Sequence, residues 1–260
     1  MIHLLSPAKS LDFDSEISTK NHSTPLFLED AEKLINKLKK SSKSKVRELM
    51  SISEALADLN TKRYQTWSGV TEPSKNSRQA ILAFTGDVYQ GLNAKSLTEE
   101  QLNFAQKHLF ILSGMYGALR PLDIMEPYRL EMGTSLKVGR ADNLYQFWKD
   151  KPTEQINQQL KELGSDVVVN LASNEYFKVI NRKKLNGTLI SPEFKDAKNG
   201  KYKVISFYAK KARGYMSRYI IENSITNPND LEGFDTDGYR FNGDLSKKGN
   251  PVFTREENQA

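Results

Sequence analysis

The chain has 260 residues and a formal net charge of +6, and it contains no cysteine. The missing thiols exclude disulfides, thiolate catalysis and sulfur-ligated zinc, and they suit a reducing cytosol. No apolar run approaches the roughly 20 residues needed to span a bilayer. Met1–Lys9 lacks the basic and long apolar regions of a signal peptide, so the expected location is cytoplasmic.

In chain order, Ile2–Leu5 reads as a buried strand, followed by a polar stretch over 10–27. Apolar spacing then predicts a helix over Leu28–Lys40. A basic connector follows at Lys39–Lys45, and two helices are expected between Val46 and Trp67. The segment Leu56-Ala-Asp-Leu-Asn-Thr-Lys-Arg63 stands where a helix-hairpin-helix would place its turn. Such a turn offers backbone N–H groups to a DNA phosphate. Its candidate residues are Leu56, Asp58, Asn60, Lys62 and Arg63; the alternative is a plain helical brace. Asp58 and Asn60 occupy places where glycine usually allows close approach.

Arg78–Phe84 fits a helix start or a strand. Thr98-Glu-Glu-Gln101 is a capping box opening a helix to about His108. Leu109–Leu112 is a buried strand, Leu144–Leu163 is helical with a break at Pro152, and Val167–Asn170 is the clearest buried strand. A helix or turn opens at Ser173. Leu189–Phe194 and Lys201–Phe207 alternate as strands around a hairpin turn at Asp196–Gly200. These elements predict a single α/β (α+β) domain over 1–260, with a mixed sheet, surrounding helices and a helical, helix-hairpin-helix-like insertion over 28–75.

Charge is unevenly spread. Residues 178–218 hold 12 Lys/Arg against 2 Asp/Glu, residues 219–260 hold 4 against 8, and residues 1–177 balance at 22 each. The excess centres on Ile205–Ile220. At about 100° per residue, Lys210, Lys211, Arg213 and Arg218 fall within an arc of roughly 160°. Ala209, Ala212, Tyr215, Met216, Tyr219 and Ile220 take the other side. A packed helix with cations on one face and no acid among them suits a polyanion, phosphate above all; a solvated face is the alternative.

Four other cations belong to the candidate DNA-binding set. Lys9 follows the first strand, at the end where α/β clefts form. Arg78 opens a motif, and Arg120 and Arg129 sit on loops stiffened by Pro121 and Pro127. Arginines there can grip phosphate or pair internally with Asp123, Glu126 and Glu131. An alternative polar cleft set, for an enzyme acting on a nucleotide or nucleic acid, comprises Asp87, Glu131, Asn170, Ser173 and Glu175. No catalytic residue can be assigned from spacing alone. His3, His22 and His108 form no metal-binding pair, so no metal site and no cofactor is expected.

Seven blocks, taken together, resemble the YaaA peroxide stress resistance family: Leu4–Asp12, Arg78–Tyr89, Leu112–Asp123, Pro127–Gly133, Leu144–Trp148, Asn170–Phe177 and Ile205–Arg218. They run in order along nearly the whole chain. The resemblance implies a cytoplasmic protein that helps bacteria survive peroxide by limiting free intracellular iron. It also implies duplex or branched DNA binding through a positively charged cleft, on an unusual α/β fold with a helix-hairpin-helix element and no membrane association.

Overall fold

Residues 1–257 are described by the structure, a computed structural model. Its centre is the strand β1 (Ile2–Leu5), buried along its whole length. A strand with apolar side chains on both faces needs cover on both faces, which is the habit of central parallel strands. β1 pairs in parallel with β2 (Leu109–Ser113) on one side and with β4 (Val167–Asn170) on the other. β5 (Thr188–Ile190) continues in parallel beyond β4, and β3 (Gly117–Leu119) closes the opposite edge antiparallel to β2. The order is therefore β3-β2-β1-β4-β5.

A second sheet is ordered β7-β6-β9-β8, from β6 (Glu193–Lys198), β7 (Lys201–Lys203), β8 (Arg240–Phe241) and β9 (Val252–Arg255). The expected continuous strand Leu189–Phe194 is divided between the two sheets. Ser191 and Pro192 form the crossover, because proline offers no N–H to a ladder. The β6–β7 hairpin turns on Asn199 and Gly200, whose φ values of 53° and 72° fit a type I′ turn. Phe194, Phe234 and Phe253 fill the core of this sheet.

Besides the single helical turn Ala80–Ala83, the α-helices are α1 (Leu28–Lys39), α2 (Lys43–Met50), α3 (Glu54–Thr66), α4 (Asp87–Leu92), α5 (Glu99–His108), α6 (Leu144–Trp148), α7 (Lys151–Glu162), α8 (Asn174–Phe177) and α9 (Ser206–Glu222). The capping box forms as the sequence predicts: Thr98 accepts from Gln101 N, and Gln101 accepts from Thr98 N. The break in 144–163 falls at Lys149, in positive φ, and Pro152 stands in the first turn of α7, where it costs no hydrogen bond.

The expected turn at Leu56–Arg63 is not a turn. Those residues are the body of α3, and the bend between α2 and α3 is Ser51–Ser53. Ser51 takes the left-handed conformation and Ser53 caps α3 by accepting from Leu56 N at 3.3 Å. Asp58 and Asn60 find helical partners: Asp58 bonds Lys62 at 2.8 Å, and Asn60 donates to the Leu56 carbonyl at 2.8 Å.

The long basic helix α9 starts at Ser206, so the strand expected over Lys201–Phe207 stops at Lys203. α9 buries Ala209, Ala212, Met216 and Ile220 and packs chiefly against α4. His3 of β1 reaches Ser217 of α9, Nε2 to Oγ 3.0 Å, and ties the helix to the central strand. α9 also touches the second sheet, where Arg255 lies 4.5 Å from the Tyr208 ring. Among the described residues no helix is long and apolar enough to cross a membrane.

Candidate nucleic-acid interface

From β1 the chain runs to β2 on one side, and later returns to β4 on the other. The switch lies between β1 and β4, and their carboxyl ends leave a crevice there, the usual ligand position in open α/β sheets. The loops after the two strands are pinned together. Ser173 N donates to Ser6 Oγ at 2.8 Å, the two hydroxyls lie 3.3 Å apart, and Tyr89 donates to the Ser6 carbonyl at 3.0 Å.

Over this crevice opens a cleft of about 400 Å³, lined by Ser6–Ser10, Thr85–Val88, Leu171, Ser173, Tyr176, Lys210 and Arg213. α4 brings Asp87 and Val88, and α9 brings Lys210 and Arg213. A second cleft of about 330 Å³ lies behind Thr85 and Gly86, but its one cation, Lys95, is held by Asp12 at 2.8 Å.

Three of the eight expected DNA-binding cations line the main cleft. Lys9 is exposed and lies 3.3 Å from Glu131, which Arg129 also binds at 2.8 Å. Lys210 and Arg213 make no hydrogen bond or ion pair among the described residues. Arg213 is half-buried, and desolvation lowers its guanidinium below the ordinary value. A desolvated cation without a counter-charge is electrostatically costly, and an anion in the cleft would offset that cost.

The other cations are engaged inside the protein. Arg78 is buried, donates to the Ser15 carbonyl at 2.9 Å and lies against the Phe13 ring, so it presents no charge to solvent. Arg120 pairs at 2.9 Å with the buried Asp123 and donates to the Thr24 carbonyl. Arg218 donates to the carbonyls of Leu92 and Asn93 at 3.0 and 2.9 Å and bonds Glu222 at 2.7 Å. It serves as a cap for the end of α4. Lys211 is half-buried over the Tyr215 ring at 5.5 Å. The arc of four cations is therefore divided among different surroundings.

The α3 residues lie apart from the cleft lining. Leu56 is exposed, Asn60 is buried, Lys62 is paired to Asp58, and Arg63 is half-buried with its guanidinium on Asn60 at 3.3 Å. Of the alternative polar set, Asp87 and Ser173 enter the cleft. Glu131 stands at its edge between Lys9 and Arg129. Asn170 is spent on the Ala172 N–H at 3.0 Å, and Glu175 accepts from Gly133 N at 3.0 Å. Ser6 joins the site as well, and its signal in the sequence is its place directly after a fully buried strand.

A family profile described as Peroxide stress protein YaaA matches residues 1–245. The chain belongs to the peroxide stress protein YaaA family. It is 53% identical over 257 residues to a protein of Saccharophagus degradans named UPF0246 protein, covering 99% of this chain and 100% of that one. The identity is high enough that this YaaA-family chain and its relative share one fold. Among the described residues, no group of three or more His, Asp or Glu side chains could hold a metal ion.

Proposed function

We propose that this YaaA-family protein acts in the cytoplasm during peroxide stress and binds duplex or branched DNA through the cleft between β1, β4, α4 and α9. The observation that carries the reading is the pair Lys210 and Arg213, which line one cleft without an ion pair or hydrogen bond among the described residues, beside the exposed Lys9. Phosphate diesters supply fixed negative charge at regular spacing, and each neutralised phosphate releases counterions. Lys210 and Arg213 both belong to the segment 178–218, whose 12 basic and 2 acidic residues make it the most positive stretch of the chain. Limitation of free iron and of oxidative DNA damage draws its support from the family resemblance, and in this reading it acts through DNA rather than through iron ligation.

The test is anisotropy of a labelled duplex, repeated from about 50 to about 200 mM salt, with K210E/R213E beside the wild type. The expected result is a loss of at least about tenfold in affinity and a salt slope shallower by about 2. Equal affinity and equal slope would remove the basis of the reading.

One observation favours a second reading, an enzyme acting on a nucleotide or nucleic acid. Asp87 is a half-buried carboxylate in the same cleft, without a hydrogen bond or ion pair among the described residues. A free carboxylate beside two phosphate-binding cations is a usable general base. Turnover of DNA or nucleotides that is abolished in D87A would select this reading.

A further inference from the structure

A space of about 400 Å³ is near the lower end of small-molecule sites, which run from about 300 to 1,000 Å³. It is too small to enclose a duplex, which in the DNA-binding reading lies across its mouth, but it can admit one nucleotide. Its lining has two chemical halves. Pro7, Ala8, Val88, Leu171 and the ring of Tyr176 give apolar and aromatic surface. Its polar groups include Lys210 and Arg213, suited to phosphate, and the free carboxylate of Asp87, suited to accept hydrogen bonds from a base edge. A ligand with a flat apolar body, a polar edge and an attached anion satisfies all of these.

A neighbouring feature on α9 points the same way. Phe207 is 55% exposed in the first turn of the helix. At about 100° per residue it stands between Lys210 and Lys211 around the axis, one turn nearer the N-terminus. Set between two cations, it offers an aromatic face beside groups suited to a phosphate backbone. Proteins that take a base out of the stack use such a side chain to fill the gap left behind.

We propose that the cleft receives one nucleotide everted from the DNA, with Arg213 and Lys210 on its phosphates, Asp87 on its base edge and Phe207 entering the vacated stack. The inference rests on the DNA-binding reading. It adds a substrate unit and a wedge residue to a cleft otherwise assigned to backbone charge alone.

The experiment uses the full chain and a duplex with one 2-aminopurine opposite an abasic site. Anisotropy reports binding, and 2-aminopurine fluorescence reports loss of stacking. The expected result is saturable binding with a severalfold rise in fluorescence, reduced in F207A and lost in A8F, which fills the cleft. Binding with flat fluorescence, or a rise that survives in A8F, overturns the proposal and leaves duplex binding standing. Absence of any binding overturns the DNA reading itself and this inference with it. Should A8F fail to melt cooperatively, D87N decides: a diminished rise supports the cleft as the acceptor, and an undiminished rise refutes it.

Discussion

Gly91 of α4 and Gly214 of α9 face each other where the two helices cross. A Cβ added at Gly214 would collide with the Val88 carbonyl, and one added at Gly91 would strike the Lys211 carbonyl and lie 3.2 Å from the Gly214 Cα. The obstacles are backbone, which cannot swing aside. The absence of two side chains therefore sets how close Asp87 and Val88 come to Lys210 and Arg213.

Gly214→Ala should force α4 and α9 apart. Overpacking of this kind costs about 1–3 kcal/mol, and for a chain of this size each kcal/mol lowers Tm by about 2–4 °C. Calorimetric melting checks the loss of stability, and anisotropy with duplex checks a loss of affinity in the folded protein. An unchanged Tm would mean that the crossing is looser than the geometry requires.

Arg213 carries a stability cost that its replacement should relieve. Arg213→Met keeps the aliphatic bulk and removes the unpaired, desolvated charge, so Tm should rise, by an amount corresponding to about 0.5–2 kcal/mol. The salt slope of duplex binding should fall by about 1. A variant that is both less stable and equally tight on DNA would contradict this assignment.

Acid sensitivity should trace partly to His3. Burial, with His108 and the N-terminal ammonium nearby, pushes its imidazole down to about 3, and burial also lowers His108. The unfolded chain binds a proton on the His3 ring below about pH 6.5, while the folded chain keeps that ring neutral. The resulting stability is fully present above that value and is lost as pH falls from there toward 3. Urea midpoints at about pH 7 and about pH 5 should differ more in the wild type than in His3→Asn. Equal pH dependence in the two proteins would assign the effect elsewhere.

The second sheet depends on a buried ion pair. Arg255 Nε donates to Asp196 at 2.7 Å, its Nη1 bonds Asp237 at 2.7 Å, and Tyr239 also donates to Asp196 at 3.1 Å. Asp196→Ala leaves a buried guanidinium short of a partner, a loss of about 3–5 kcal/mol. The denaturation midpoint measures it, and Arg255→Met in the same chain should recover part of the loss.

Peroxide chemistry is not expected in the protein itself, since it has no thiol to oxidise. Calorimetry should detect no stoichiometric ferrous binding at micromolar affinity, and purified, metal-free protein should leave peroxide unconsumed. Steady consumption would displace the DNA reading in favour of catalysis.

Local pattern made much of this chain readable. The mainly apolar runs at Ile2–Leu5 and Val167–Asn170 declare buried strands, Thr98 and Gln101 declare a helix start, and the cations of 205–218 declare a charged helix. Each signal lies within one element and needs no partner elsewhere. The fates of the individual cations were not readable in the same way. Arg218 is bound by carbonyls of Leu92 and Asn93, Arg78 by Ser15, and Lys9 by Glu131, each contact joining residues more than 60 positions apart. Asp58 and Asn60 prefer turns in isolation, yet the serine cap at Ser53 and the packing of Tyr64 hold them in a helix. Sequence periodicity says which side chains share a face. Only the packed chain decides which of those charges are already neutralised, because a counter-charge is found through space and not along the chain.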